Sequence, residues 1–255
     1  MSLHSDTALV LLHGFCEDNS LWDEIIPKLN FEGEIITPDL PGFGHSTLKP
    51  TEFTLEDIAT TLYEELKASA VKKCICIGHS LGGYITLALK HKFPSFVLSI
   101  GLLHSTSFMD TEEKKEIRNK LVKFLDHNPP SSFLSTFAPS LFSKPNRMRL
   151  KPEISKVISM SEGVTGKTIQ AYAKAIRDRE EYSSLLYNEK EPLFIGGEND
   201  QAIRKSDSIK QISMIKNQDN CYLLKNVAHM GIYESPSDII DAINKHTSNN
   251  LLANR

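Results

Sequence analysis

Short apolar runs alternate along the chain with longer stretches in which apolar residues recur every three or four positions. Six of the short runs have the length and the β-branched content that are typical of strands buried inside a sheet. They cover residues 7–12, 34–37, 74–77, 97–103, 192–197 and 221–224. Because helical patterns fall between most of these runs, the sequence predicts an α/β protein whose parallel sheet is covered on both faces.

Several helices can be placed from their end signals and their periodicity. Thr54 stands three residues before Asp57, which predicts an N-cap, and the apolar residues that follow have helical spacing. A second helix is predicted over residues 84–91, where helix formers end shortly before a proline. An amphipathic pattern predicts a last helix over residues 232–246. We expect the polar tail, residues 247–255, to be frayed.

The alternation breaks between the fourth and fifth predicted strands. Residues 105–187 contain no strand pattern and carry amphipathic helical runs that prolines separate. These runs cover residues 112–124, 131–142, 153–160 and 168–176. We expect this insertion to form a helical cap over the carboxyl edge of the sheet, with the core made by residues 1–104 and 188–246. The alternative is a helical domain that is unrelated to any active site.

The third apolar run leads into a turn with the pattern Gly-x-Ser-x-Gly, formed by Gly78, Ser80 and Gly82. A strand that turns sharply into a helix brings the backbone close to itself, so the flanking positions need glycine. The serine then takes a strained conformation and presents its hydroxyl beside a helix N-terminus, which favours negative charge. A serine that merely caps the helix is the alternative. The strand, turn and helix around the motif favour a nucleophile.

The composition narrows the class of protein. The chain has 255 residues, 40% of them hydrophobic and 24% charged, with a net charge of −3, as in ordinary globular domains. It has no long basic run, so neither nucleic acid nor a membrane surface is an expected partner. With no apolar stretch of about 20 residues and no leader pattern, we expect a cytoplasmic protein. The four cysteines lack metal-binding spacing and predict small core residues.

Five motifs follow predicted strands in chain order. They are residues 13–15 (His-Gly-Phe), 39–46 (Asp-Leu-Pro-Gly-Phe-Gly-His-Ser), 78–83 (Gly-His-Ser-Leu-Gly-Gly), 196–200 (Gly-Gly-Glu-Asn-Asp) and 227–229 (Val-Ala-His). Together they resemble the α/β-hydrolase superfamily over nearly the whole chain. The resemblance implies a doubly wound, mostly parallel sheet in which the first and third strands are neighbours, with ligands bound where the strand order reverses. The family usually opens with a hairpin, and only six residues precede the first strand here, so we expect an exposed edge strand.

The resemblance also implies a set of catalytic residues. The family's triad runs in the order serine, acid, histidine, which corresponds here to Ser80, Asp200 and His229. Its oxyanion hole corresponds to the backbone N–H groups of Phe15 and Leu81. No metal and no organic cofactor is implied.

Other residues compete for these roles. Glu198 lies two residues before the acid that the family pattern favours. His246 also follows that acid, but it stands near the end of a predicted helix, where we expect a solvated side chain. His229 follows a strand in a short loop, from which side chains can reach a crevice. His13 and His79 flank the crevice, and the family uses these positions for packing and for hydrogen bonds in turns.

We therefore expect a serine hydrolase, of carboxylesterase type, whose serine forms an acyl-enzyme that water releases. Two other interpretations stay open: a lyase or C–C bond hydrolase of the same fold, as in relatives from menaquinone synthesis and aromatic degradation, and a receptor-like binding protein. The expected partner is a small-molecule acyl substrate, which the cap sequence does not identify. Monomer and homodimer are both open.

Overall fold

Six parallel strands form a single sheet in a computed structural model that describes residues 7–47 and 52–253. Their spatial order is β2-β1-β3-β4-β5-β6, and every neighbouring pair is parallel. The strands are β1 (Thr7–Leu12), β2 (Ile35–Ile36), β3 (Lys73–His79), β4 (Val97–Leu103), β5 (Leu193–Gly197) and β6 (Cys221–Leu224). The predicted α/β fold with a mostly parallel sheet is confirmed.

The first and third strands are neighbours, as the resemblance implies. Leu12 at the end of β1 pairs with Gly78 near the end of β3. The chain leaves β1 towards β2 on one side and returns to β3 on the other, so the strand order reverses here. The loops after β1 and β3 therefore open from adjacent strands. In the described part of the chain β2 pairs only with β1, and its two residues are half-buried at the sheet edge.

Alternating side chains of the central strands feed two hydrophobic clusters, one on each face of the sheet. On β3, Cys74 and Cys76 join one cluster, while Ile75 and Ile77 join the other. This period of two is the geometry of a strand that is buried on both faces. All four side chains are fully buried, so these two cysteines are core residues, as predicted.

Ten α-helices lie among the described residues. They are α1 (Leu55–Ala68), α2 (Leu81–Lys92), α3 (Glu112–Leu125), α4 (Pro130–Ser140), α5 (Lys151–Met160), α6 (Gly166–Arg177), α7 (Ser183–Asn188), α8 (Lys205–Met214), α9 (Gly231–Glu234) and α10 (Pro236–Ala253). The capping box at the start of α1 is present: Thr54 Oγ1 accepts from the Asp57 N–H, and the Asp57 carboxylate accepts from the Thr54 N–H. Within the ranges that the structure covers, no helix is both long and apolar enough to cross a membrane.

The insertion between β4 and β5 is helical, as predicted. Its helices α3 to α7 follow one another, and no strand interrupts them. The largest difference at the C-terminal end of a helix concerns the run predicted over residues 131–142, since the observed helix α4 ends at Ser140, two residues earlier.

The C-terminal part differs from the prediction in two ways. The helix predicted over residues 232–246 is two helices, because Pro236 cannot donate a backbone hydrogen bond and begins α10 instead of continuing α9. The prediction of a frayed tail was wrong for residues 247–253, since α10 continues to Ala253; residues 254–255 lie outside the described part. Thr247 is buried and its hydroxyl donates to the Ile243 carbonyl at 3.0 Å.

The expectation that His246 is solvated was also wrong. Its side chain is fully buried, with Nε2 3.3 Å from Ser99 Oγ on β4. Helix α10 packs here against the sheet, so a residue close to the end of the chain in sequence lies in the core. Burial lowers the pKa of His246 to about 4.

This buried histidine should make the protein lose stability as the pH falls from about 6.5 to 4. In that window the unfolded chain binds a proton that the folded chain does not bind, so the free energy of unfolding rises with pH. Between pH 7.5 and 4.5 the contribution of His246 amounts to about 2.5 kcal/mol. Urea unfolding at both pH values measures how much free energy of unfolding is lost. The loss should be about 2.5 kcal/mol smaller for His246→Gln than for the wild type. The exposed His127 supplies the control, and equal losses in His246→Gln and His127→Gln would contradict the assignment.

Candidate active site

The turn between β3 and α2 holds Ser80 in a strained conformation. Its φ of 49° and ψ of −112° lie outside the regions that non-glycine residues normally occupy. The turn is fixed on both sides: the Ser80 N–H donates to the Leu103 carbonyl at 2.9 Å, and Ser105 Oγ donates to the Ser80 carbonyl at 2.7 Å. Such strain persists only where the surroundings hold it, and it is often found at functional sites.

The two glycines of the turn are required by close backbone contacts. A Cβ on Gly78 would overlap the backbone of Gly82 and Gly83, and a Cβ on Gly82 would overlap the Leu12 carbonyl at the end of β1. The backbone cannot move away from either contact without opening the turn. The turn therefore requires glycine at both positions, as the sequence predicts.

Gly78→Ala is expected to lower the free energy of unfolding by about 3 kcal/mol or more, because the added methyl group meets backbone atoms. Gly166→Ala is the matched control. It adds the same group at the start of α6, where the nearest atoms are 3.9 Å away or more. Chemical denaturation of both variants measures the difference. A Gly78→Ala protein as stable as Gly166→Ala would show that the turn is looser than described.

A cavity of about 210 Å³ opens beside this turn. Four of the five residues predicted for the site line it, namely Phe15, Ser80, Leu81 and His229. They come from the loops after β1, β3 and β6, which open at the same edge of the sheet. The fifth, Asp200, lies behind His229 and is only 3% exposed.

The imidazole of His229 is held by Asp200. The distance from His229 Nδ1 to Asp200 Oδ2 is 2.8 Å, and the second carboxylate oxygen accepts from the N–H groups of Ala202 at 2.8 Å and Ile203 at 3.0 Å. Burial by itself would raise the pKa of Asp200, but the neighbouring His229, its hydrogen bond and the nearby His104 ring hold it well below its ordinary value. An ionised carboxylate only accepts, so Nδ1 carries the proton and Nε2 has a free lone pair.

Ser80 and His229 share the cavity without a hydrogen bond between Ser80 Oγ and the imidazole among the described interactions. In unliganded enzymes such bonds are often long and tighten only when substrate is bound. The backbone holds the two loops in place: the Asn199 N–H donates to the Val227 carbonyl at 2.9 Å, which ties the loop carrying Asp200 to the one carrying His229.

Glu198 is directed elsewhere. Its carboxylate forms an ion pair with Lys205 at 2.7 Å, at the start of α8. Both side chains are partly exposed to solvent. Of the two acids that compete in the sequence, Asp200 is the one that contacts a histidine.

The backbone N–H groups of Phe15 and Leu81 are free to bind an anion. Neither donates a hydrogen bond to another residue in the described ranges. Leu81 is the first residue of α2, where N–H groups lack an intrahelical partner and the helix dipole favours negative charge. Cys16 has a φ of 61°, so the chain bends sharply just after Phe15.

A buried ion pair below the cavity was not predicted from the sequence. Glu17 is 1% exposed, and its Oε2 accepts from the Gly14 N–H at 2.6 Å and from His79 Nδ1 at 2.9 Å. His79 Nε2 donates to the His229 carbonyl at 3.0 Å. Burial opposes both charges, but the pair outweighs it, so the pKa of Glu17 is lowered and that of His79 is raised. These contacts join the end of β3 to the loops after β1 and β6.

The other histidines have structural surroundings. His13 is buried: its Nε2 accepts from the Leu40 N–H at 2.9 Å and its Nδ1 donates to the Gly14 carbonyl at 2.9 Å, as expected for a turn-bracing role. His104, which was not singled out in the sequence, has a φ of 48° and lies 3.5 Å from Asp200 Oδ2. Burial lowers the pKa of His104 to about 4. Its position directly after β4 is the signal that could have identified it.

Known proteins share this arrangement of strands and loops. A family model described as alpha/beta hydrolase fold matches residues 7–236. Lipase 1 of Psychrobacter immobilis is 28% identical over 246 residues, which are 91% of this chain and 74% of the lipase. Lipase 3 of Moraxella sp. is 26% identical over 242 residues, covering 90% and 74%. A solved thermophilic esterase from Thermogutta terrifontis superposes with a TM-score of 0.86 at 24% identity, covering 96% of this chain and 91% of the esterase.

Proposed function

The chain belongs to the α/β-hydrolase fold family, and on that premise we propose that it is a serine hydrolase that cleaves a carboxylic ester or a related acyl compound. One observation carries the proposal. A strained serine and a histidine bound to a buried carboxylate line the same cavity, at the switch point of a parallel sheet. The lipase relatives support an acyl substrate.

In the proposed reaction, Ser80 Oγ attacks the carbonyl carbon while His229 Nε2 takes the hydroxyl proton. His229 then gives that proton to the leaving alcohol, and the acyl group stays on Ser80. Water attacks the acyl-enzyme with the same histidine as base, which releases the acid and restores the serine. Asp200 keeps the imidazole in the required tautomer and stabilises its charged form.

The negative charge that develops on the substrate oxygen is assigned to the N–H groups of Phe15 and Leu81. Both are without a partner in the described structure, and both residues line the cavity. Donors that are already in place need no rearrangement as the charge forms, which makes this kind of stabilisation effective.

We assign residues 105–187 as a cap that shapes the substrate pocket. Seven residues of this insertion contribute to the cavity wall: Asp110, Lys114, Ile117, Arg118, Phe137, Leu141 and Ile176. The Leu141 carbonyl also accepts from the His229 N–H at 2.9 Å, so the insertion contacts the loop that carries the base. These contacts support a cap over the site better than a separate helical domain.

Turnover of 4-nitrophenyl acetate and butyrate by the purified protein tests the proposal. We expect many turnovers per molecule, with release of 4-nitrophenol that stays linear beyond the first equivalent. A burst of one equivalent followed by no further release would contradict the hydrolase and favour a receptor. Lack of any release from either ester would contradict acyl transfer at this site.

A further inference from the structure

The cavity beside Ser80 is lined by two chemically different groups of side chains. The larger group is mainly apolar: Phe15, Leu81, Tyr84, Ile117, Phe137, Leu141 and Ile176. The second group is charged or carries an amide: Asp110, Lys114, Arg118, Gln201 and Arg204. A pocket for a purely hydrocarbon ester has no need of the second group, because partly buried charges are costly unless they are paired.

Asp110, the acid among these lining residues, is already satisfied. Its carboxylate is 1% exposed and contacts Arg179 Nη1 at 2.7 Å and Arg118 Nε at 3.3 Å. Arg179 is itself buried: its remaining N–H groups donate to the carbonyls of Phe108 and Ile176. Asp110 therefore fixes the position of Arg118 without presenting a free negative charge to the cavity.

Arg118 keeps unused donors. Only its Nε has a partner, so within the described part of the chain both of its terminal nitrogens are without a hydrogen bond. Lys114 lies one turn earlier on α3 and has a loose contact of 3.6 Å with Asp207. Arg204, by contrast, is held by both carboxylate oxygens of Glu113 at 3.1 Å.

Lys114 and Arg118 are the cations of this group that can take a further partner. Lys114 has only the 3.6 Å contact with Asp207, and Arg118 has two terminal nitrogens without a hydrogen bond among the described residues.

We propose that the part of the cavity wall formed by Arg118 and Lys114 is an anion subsite, and that the substrate is an acyl ester that also carries a carboxylate bound by these two residues. The inference rests on the proposed function. A guanidinium presents its N–H groups as a planar fork that matches the two oxygens of a carboxylate. The apolar side chains of the lining then contact the rest of the substrate.

Two pairs of esters test the subsite. Mono-4-nitrophenyl glutarate carries the carboxylate on the acyl half, and 4-acetoxybenzoate carries it on the leaving group. Each is compared with its methyl ester, which is neutral and larger by one methyl group. In at least one pair the wild-type kcat/KM should favour the anion, and Arg118→Gln should reduce that preference about 10- to 100-fold.

Lys114→Gln should reduce the same preference less, and Lys120→Gln, an exposed position on the same helix, should not change it. A second measurement needs only the wild type, which glutarate should inhibit and neutral glutaramide should not. It tests the subsite even if the Arg118→Gln protein fails to fold. Turnover of the neutral esters with no preference for either anion, and no inhibition by glutarate, would overturn the subsite and leave the proposed function intact. No turnover of any ester would overturn the proposed function instead, and glutarate binding measured by calorimetry would then decide the subsite alone.

Discussion

Replacing Ser80 by alanine is expected to lower kcat for ester hydrolysis by roughly 10⁶, as loss of the nucleophile does in another triad hydrolase. The fold should survive. The serine side chain makes no capping hydrogen bond, and the contacts that hold the turn involve its backbone N–H and carbonyl. Alanine also removes only one oxygen atom at a half-buried position. A large loss of activity at unchanged stability is thus the expected result.

Two measurements separate the loss of the nucleophile from a loss of structure. Melting curves should coincide for the wild type, for Ser80→Ala and for Ser213→Ala, which removes an exposed hydroxyl on α8. A fluorophosphonate should label the wild type and Ser213→Ala on the peptide that contains Ser80, and should not label Ser80→Ala. If Ser80→Ala kept a tenth of the wild-type rate, Ser80 would not be the nucleophile.

Local sequence signals predicted much of the fold. The strands at residues 97–103 and 221–224 agree with the structure to the residue, because runs of apolar residues that end at turn signals define buried strands well. The start of α1 was also predictable, since a capping box involves residues only three positions apart. These predictions succeeded because the residues that form each pattern lie close together in the sequence.

Tertiary contacts caused the errors. His246 and Thr247 look like residues of a polar tail, yet both are buried because α10 packs against the sheet. Glu17 gives no sign in the sequence of its partner His79, which is 62 positions away. Arg118 fits the charged surface pattern of an ordinary helix, and only the cavity shows what lies beside it. Sequence periodicity assigns the face of an element, but it does not tell which other element covers that face.

The catalytic roles came from motif order, which is a different kind of signal. The structure brings Phe15, Ser80, Leu81 and His229 to one cavity and places Asp200 on the imidazole. The catalytic roles of these residues stay predictions. The geometry distinguishes most sharply between the two candidate acids. Asp200 contacts His229, whereas Glu198, two residues earlier, pairs with Lys205.

Asp200→Asn is expected to lower kcat by roughly 10⁴, as the equivalent change does in a chymotrypsin-type triad. Asparagine retains the shape of the side chain, but it cannot neutralise the imidazolium and can hold the ring in the wrong tautomer. The matched control is Glu198→Gln, which makes the same chemical change at a carboxylate paired with Lys205. That pair is partly exposed and is worth about 1 kcal/mol or less, so this variant should lose at most about fivefold in rate.

Both variants are compared with the wild type at one pH with one chromogenic ester, after melting curves establish that each is folded. Asp200 also accepts the N–H groups of Ala202 and Ile203, so its replacement can loosen the loop. Asp200→Asn is therefore expected to be less stable as well as slower. The rate is measured well below the melting temperature, so that unfolding does not account for the loss of activity. Should Glu198→Gln be the inactive variant while Asp200→Asn hydrolyses the ester at nearly the wild-type rate, the contact of 2.8 Å between Asp200 and His229 would be structural and the acid would have been misassigned.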